Sequence, residues 1–315
     1  VVGVFVSESV WSSSAEQLRA ACPDIEPIVF VPGTRVADTD ISRIRIGCLS
    51  PDLWPDSSAS FMRVVLDATG LEWFHTCSAG TDHPVFGMIR QRARLTTSSG
   101  ASAAAIAQHV VTMLVSLRRD HAGFARDQAA RVWRPRDVGD VEGTVVAVVG
   151  MGPIGSETAR LATAFGMRPI GVRRSVTGDE PCETWTFDRL DDLLAIADAV
   201  VLAVPLTHDT RHLLDNARIA RMRPGTHLVN VGRGDLVDER ALVEALRSGH
   251  VGAAALDVTA TEPLPDDSPL WAMPNVLITP HSSGATASTH HRALDVFVEN
   301  LSRFMTGRPL HNELP

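Results

Sequence analysis

The chain has 315 residues and a formal charge of −8, too long for one ordinary core and suited to two lobes of roughly 100–200 residues each. The acidic balance argues against a nucleic-acid partner, which would favour a basic face, and no apolar run approaches the roughly 18 residues of a membrane span. All 29 basic residues are arginine and there is no tyrosine, which excludes chemistry that needs a lysine (a pyridoxal Schiff base, a phosphate-binding Walker lysine) and the Tyr–Lys pair of short-chain dehydrogenases.

Residues 2–6 (VGVFV) read as a first strand rather than a signal peptide, having no basic leader and no small-residue cleavage site. Four scattered cysteines, Cys22, Cys48, Cys77 and Cys182, with no CxxC pair, fit reduced thiols in a cytoplasmic protein and no metal site. Further strand candidates are 28–31, 46–49, 73–76 and 94–97, the pattern of a small flavodoxin-like α/β lobe. An amphipathic helix follows at about 101–119, with Ile106, Val110, Met113, Leu114 and Leu117 on one face.

From 145 onward strands and helices alternate. Residues 145–149 form a continuous apolar run, short enough for a buried strand. In the helix after it, Ile154, Thr158, Leu161, Ala162 and Phe165 share a face, and Gly166 is a plausible stop. Strands are expected at 170–172, 199–204, 227–231, 253–258 and 276–279, and helices at about 188–197 and 238–248, the second capped by Asp238. Six strands with intervening helices imply a Rossmann-type, doubly wound parallel sheet. A last helix at about 286–305 carries Leu294, Phe297, Val298 and Leu301. The expected architecture is therefore α/β throughout: a first domain of residues 1–99 completed by 286–315, a dinucleotide-binding domain of 100–285, and a cleft between them.

Gly150, Gly152 and Gly155, with Pro153 and Ile154 between them, form GxGxxG after a strand and before a helix, the context this motif requires. Gly150 permits the tight turn, Gly152 leaves room for a pyrophosphate and Gly155 lets helix and strand approach. The helix N-terminus then offers N–H groups to the phosphates. A ribose-binding carboxylate is expected at the end of the next strand, but Arg173 and Arg174 stand there, 18 and 19 positions after Gly155. Guanidinium groups would pair a 2′-phosphate, with no carboxylate to repel it, so NADP is preferred and NAD remains possible.

Three later segments each lie near the C-terminal end of an expected strand, where doubly wound sheets bind ligands. They are Asn230–Glu239 with Arg233, 255–264 with Asp257 and Glu262, and 279–284 with His281 and Gly284. With Ser78-Ala79-Gly80-Thr81-Asp82-His83 early in the chain and Val204-Pro205-Leu206-Thr207, Thr210 and Leu213-Leu214 after the glycine turn, these segments follow in an order that resembles the D-2-hydroxyacid dehydrogenases over nearly the whole chain. Among them it is nearest in type to NADP-using glyoxylate and hydroxypyruvate reductases.

The resemblance implies that Arg233, Glu262 and His281 are catalytic. It implies that Val204, Pro205, Thr210, Val231, Asp257, His281 and Gly284 join the glycine turn in lining the dinucleotide, and that Ser78, Ala79 and Gly80, with Arg233 and His281, meet the substrate. The residue types suit reduction of a 2-keto acid without the family. Arg233 can hold a carboxylate and polarise the keto oxygen. His281 can give that oxygen a proton and take it back. Glu262, if bonded to His281, would favour the imidazolium.

Trp54 and His75 are candidates for the pocket border, with core packing as the alternative. Asp238 and Glu239 read as helix N-terminal acids without chemistry. A homodimer is expected, with residues 125–136 and Trp133 in its interface. Two other readings stay open: a non-catalytic dinucleotide sensor like the corepressors of this fold, and a formate-dehydrogenase-like member, in which the histidine's partner would be glutamine.

Overall fold

The structure is a computed structural model that describes residues 1–54 and 56–315. The chain divides into two compact units, Val1–Ser102 with Thr286–Pro315, and Ala103–Ala285.

The first unit holds β1 (Val2–Ser7), α1 (Glu8–Ala21), β2 (Ile25–Phe30), α2 (Asp38–Ile41), β3 (Ile44–Leu49), α3 (Ser58–Asp67), β4 (Trp73–Thr76), α4 (Pro84–Arg90) and β5 (Arg94–Thr97). Its five strands are all parallel, in the order β2-β1-β3-β4-β5, and lie where the sequence places them. Successive side chains of β1 feed opposite faces, as the pleat requires. Phe5 packs with Phe61, Phe74 and Ile44 on one side, while Val4 and Val6 pack with Leu18, Trp73 and Phe297 on the other. Phe5 stacks on Phe61 with ring centroids 4.3 Å apart. The C-terminal helix, Ala287–Met305, belongs to this unit and lays Phe297 and Phe304 against Trp73.

The second unit comprises α5 (Ala103–Arg118), α6 (His121–Ala129), β6 (Val145–Val149), α7 (Pro153–Ala164), β7 (Arg168–Arg173), β8 (Thr184–Thr186), α8 (Leu190–Leu194), β9 (Ala199–Leu202), α9 (Asn216–Arg221), β10 (Thr226–Asn230), α10 (Glu239–Ser248), β11 (Val251–Leu256) and β12 (Val276–Ile278). The sheet order is β12-β11-β10-β9-β6-β7-β8 and every pairing is parallel. The order reverses between β6 and β9, so loops at the C-terminal ends of these strands surround the switch point at which doubly wound sheets take ligands.

The sheet has seven strands where six are expected. The extra one, β8, is a three-residue edge strand, Thr-Trp-Thr, all half-buried, and too short to show a period. The helix expected at 188–197 is only five residues long, following a 3₁₀ turn at Phe187–Arg189. Phe165, expected on the buried face of α7, is 52% exposed. The helix has already ended at Ala164, and Gly166 follows with φ +79° in the left-handed region. Asp238 caps α10 as expected, accepting from the backbone N–H of Arg240 and Ala241.

Candidate active site

The glycine turn has the shape a dinucleotide requires. Gly150 sits at φ +102°, and a Cβ there would lie 2.6 Å from the Ala203 carbonyl oxygen. At Gly155 a Cβ would stand 1.8 Å from the Gly150 oxygen, so only glycine lets α7 close onto β6. At Gly152 it would meet nothing within 4 Å. The turn is therefore tight where the chain folds back and open where a ligand would approach. Pro153 opens α7, Ile154 is half-buried behind it, and no side chain caps this helix. Its first-turn N–H groups therefore remain for an anion. The residues present thus fit a dinucleotide pyrophosphate.

At the end of β7 the two arginines differ. The Arg173 Nη1 lies 2.9 Å from the Glu180 carboxylate and 3.3 Å from the Thr177 hydroxyl. Glu180 also accepts from the backbone N–H groups of Thr177 and Gly178 and from the Thr177 hydroxyl. The Thr177 N–H, with these other donors, holds its carboxyl down to about 2. The expectation that no carboxylate stands near this pair is thus corrected. Glu180 stands seven positions after Arg173 in sequence, and only the turn between them brings the charges together. Arg174 is exposed and makes no hydrogen bond or ion pair among the described residues.

Beyond β9, Val204 is buried and Pro205 exposed. Thr210 closes the turn after them: its hydroxyl donates to the Pro205 carbonyl at 2.7 Å and accepts from Thr207 N at 2.7 Å. At the end of β10, Val231 is buried. The side chain of Asn230, 1% exposed, there braces the turn that carries Arg233. Its Nδ2 donates to the Arg233 carbonyl at 2.9 Å and its Oδ1 accepts from Gly232 N at 3.1 Å. Arg233 itself is half-buried, with Nη1 donating to the Gly232 carbonyl.

The next residue fastens this turn to its neighbour, since a Cβ on Gly234 would lie 2.0 Å from the Thr259 carbonyl. The Thr259–Glu262 loop is in turn held by Glu239, whose Oε2 accepts from Ala260 N at 3.1 Å. Glu239 therefore does more than begin a helix. Neither Asn230 nor Glu239 carries a sequence signal for this work, because their partners lie on other loops or are backbone atoms.

Glu262 and His281 come together. The imidazole Nδ1 lies 2.8 Å from Glu262 Oε2, and Glu262 Oε1 accepts from Thr259 N at 3.2 Å. The two side chains are 49% and 39% exposed, open enough for a ligand to reach. His281 has φ +50°, a left-handed conformation that costs a non-glycine residue free energy and persists only where its surroundings impose it. Here its N–H is held by the carbonyls of Asp257 at 2.8 Å and Thr279 at 3.0 Å.

The Asp257 side chain completes the clamp. Its Oδ1 accepts from the Thr279 hydroxyl at 2.6 Å, Ser282 N at 2.9 Å and Ser283 N at 3.1 Å, and Oδ2 from Ser283 N at 3.1 Å. Burial works against its charge, but the bonds from Ser283, Thr279 and Ser282 prevail and its pKa falls below the ordinary carboxylate value. Gly284 follows, half-buried.

In the first unit, the loop after β4 is tied to itself. The Ser78 hydroxyl lies 2.9 Å from the Thr76 hydroxyl and donates to the Gly80 carbonyl at 3.1 Å, and Ala79 is exposed. His75 is a core residue. It is fully buried, with Nδ1 2.8 Å from the Thr96 hydroxyl and Nε2 2.9 Å from the Ser98 hydroxyl. Ser98 passes its own proton to the Ala293 carbonyl at 2.8 Å, so it accepts from His75 Nε2–H. Both ring nitrogens are thereby satisfied inside the core, and the packing alternative holds. Trp54 is 57% exposed.

The chain is similar to known proteins in sequence and in fold. Residues 111–283 match the family described as D-isomer specific 2-hydroxyacid dehydrogenase, NAD binding domain. The chain is 37% identical over 213 residues to a (S)-sulfolactate dehydrogenase from Chromohalobacter salexigens, covering 65% of this chain and 68% of that one. Among solved structures it is similar to a D-isomer specific 2-hydroxyacid dehydrogenase from Xanthobacter autotrophicus Py2 in complex with NADPH and MES (TM-score 0.82, 29% identity, covering 100% of this chain and 98% of that chain). It is also similar to an NADPH-dependent glyoxylate/hydroxypyruvate reductase from Sinorhizobium meliloti in complex with NADP and sulfate (TM-score 0.82, 27% identity, covering 100% and 98%). The chain belongs to the D-isomer specific 2-hydroxyacid dehydrogenase family and is an NAD(P)-dependent oxidoreductase.

Proposed function

We propose that this enzyme reduces a small 2-keto acid, of the glyoxylate or hydroxypyruvate class, at the expense of NADPH, with His281 as the acid–base group. The reading rests above all on the His281–Glu262 pair at 2.8 Å, held in a left-handed turn at the C-terminal end of the sheet.

A carboxylate can only accept, so Nδ1 carries the proton toward Glu262 and Nε2 is the nitrogen left for substrate. With both nitrogens protonated, Nε2–H donates to the keto oxygen as it becomes an alkoxide, and in the reverse direction the bare Nε2 withdraws that proton. Glu262 fixes the orientation of the ring through this bond. The Arg233 guanidinium holds the substrate carboxylate and draws charge toward the keto oxygen. The backbone of Ser78, Ala79 and Gly80 adds N–H groups for the same carboxylate.

The dinucleotide supplies the hydride when bound. Gly150, Gly152, Pro153, Ile154 and Gly155 would hold its pyrophosphate, and Val204, Pro205, Thr210, Val231, Asp257, His281 and Gly284 would line the rest. Arg174 is the guanidinium without a partner among the described residues, and we assign it the 2′-phosphate. Arg173, steadied by Glu180, flanks it. The NADP complexes of similar enzymes support this preference. Glutamate rather than glutamine beside His281 speaks against a formate-dehydrogenase-like reaction. A homodimer through the 125–136 segment accords with the exposure of Trp133 (95%), and light scattering after gel filtration reads its mass.

The test is a panel of 2-keto acids assayed by loss of NADPH absorbance and repeated with NADH. Turnover of glyoxylate or hydroxypyruvate, with the higher kcat/KM for NADPH, is expected. Tight NADPH binding without turnover of any keto acid would leave the dinucleotide-sensor reading instead. A higher kcat/KM with NADH would refute the assignment of Arg174.

A further inference from the structure

Two of the four free cysteines stand side by side in the first unit. Cys48 is buried in β3, Cys77 follows directly on β4, and their sulfurs are 3.9 Å apart. The parallel register pairs Cys48 with His75, so both cysteines point to the same face of the sheet, one step apart along it. Cys48 has no exposed surface, while Cys77 is only partly buried. Cys77 is thus the nearer of the two to solvent and to a small oxidant, and Cys48 waits behind it. Of the other two free cysteines, Cys22 closes α1 and Cys182 belongs to the second unit.

We propose that Cys77 and Cys48 form a reversible oxidation site, in which a hydroperoxide oxidises Cys77 and Cys48 closes the disulfide, and that closure slows keto-acid turnover through the loop that begins at Ser78. The second half rests on the proposed role of that loop.

The chemistry is a pair of displacements. The Cys77 thiolate attacks the terminal oxygen of the hydroperoxide. An S–O bond forms, the O–O bond breaks, and the alkoxide leaves and takes a proton from water. The Cys48 sulfur then attacks the resulting sulfenic acid. The S–S bond forms, the S–O bond breaks, and hydroxide leaves as water with the Cys48 proton. Two thiols have lost two electrons and one peroxide has gained them.

Roles are assigned by environment. With Cys48 as donor, the hydrogen bond between the two sulfurs lowers the Cys77 pKa against the effect of burial. Burial raises that of Cys48. Cys77, the less buried of the two and the one whose thiolate is favoured, is therefore the nucleophile and Cys48 the resolving thiol.

Closure must shorten a 3.9 Å separation to a bond of about 2.0 Å. Cys48 is fixed within β3, between β1 and β4. Cys77 has already left its strand, so the movement falls on it and on Ser78, which is hydrogen-bonded to Thr76 and Gly80.

The reduced full-length protein is exposed to stoichiometric tert-butyl hydroperoxide, alkylated and mapped by peptide mass without reductant. A Cys48–Cys77 cross-linked peptide that dithiothreitol dissolves is expected, with Cys22 and Cys182 still alkylated. In Cys48→Ser the sulfenic acid at Cys77 should be trapped by dimedone. In Cys77→Ser, Cys48 should stay reduced. A Cys77 that alkylates no faster than Cys22, or that oxidises without linking to Cys48, would overturn the site.

Glyoxylate reduction measured on the same samples should fall several-fold on cross-linking, recover with dithiothreitol, and not show this reversible loss in Cys48→Ser. A cross-linked protein with undiminished turnover would overturn the second half. A reduced protein with no keto-acid turnover at all would instead fail the proposed function, while the peptide map still decides the chemistry.

Discussion

Replacing Asp257 by asparagine tests what holds His281 in its left-handed turn. The carboxylate takes three bonds on Oδ1 and a fourth contact on Oδ2, all from residues 279–283. Asparagine keeps the shape, but its carbonyl can only replace charge-assisted bonds by neutral ones. Its amide would also face the Ser283 N–H donor to donor at about the 3.1 Å now spanned by Oδ2.

Bonds to charged groups contribute roughly 1.5–3 kcal/mol and neutral ones about 0.5–1.5. Three weakened bonds therefore amount to about 3 kcal/mol, partly offset because a buried charge no longer has to be desolvated. A net loss of roughly 1–3 kcal/mol is expected at pH 7. For a unit the size of Ala103–Ala285 this lowers Tm by about 2–4 °C per kcal/mol.

The pH dependence gives the second constraint. The folded-state pKa of Asp257 lies below its ordinary value, so its contribution is complete above the ordinary carboxylate range and disappears as pH falls through the folded-state pKa. Thermal unfolding of wild type and Asp257→Asn should therefore diverge at pH 7 and converge in acid. Turnover should fall about tenfold or more, because a displaced His281 loses its alignment. Equal Tm values at pH 7, or a gap that stays constant down to pH 3, would refute the account of the clamp.

The other predictions use the same fold. His281→Ala should lower kcat by about 10²–10⁴ with NADPH affinity largely kept, read by steady-state kinetics and fluorescence titration. Gly152→Ala should fold with near-normal Tm, since its methyl would meet nothing within 4 Å, yet bind NADPH much more weakly. Gly155→Ala should instead fail to fold or lose several degrees, because its methyl would collide with the Gly150 carbonyl, and equal behaviour of the two in thermal unfolding would contradict the turn geometry. Thr158→Val should be neutral or stabilising by up to about 1 kcal/mol in denaturant unfolding, because the fully buried Thr158 hydroxyl has no hydrogen-bond partner among the described residues. Arg174→Ala should raise KM for NADPH far more than for NADH in parallel assays.

The strands announced themselves because parallel sheets buried on both faces need unbroken apolar runs, and Val145–Val149 and Ala199–Leu202 are such runs. The glycine turn was equally legible, because its residues act through local backbone geometry. What escaped was non-local or too short. β8 is three residues on an edge. The position of Glu180 beside Arg173 depends on how the 174–180 turn folds back. The core role of His75 depends on Thr96 and Ser98, more than 20 positions away. The contribution of Asp257 depends on residues 279–283 meeting it across two strand ends.

The close fit of Gly234 against Thr259 has a consequence for how such an enzyme can diversify. Because two backbones abut there, the arginine-bearing turn and the glutamate-bearing loop are coupled like adjoining bricks, and neither can be lengthened or reshaped alone. New substrate preferences would have to arise in segments outside this masonry, such as the Ser78–Gly80 loop on the separate first unit, while the reacting groups keep their mutual alignment from one descendant to the next.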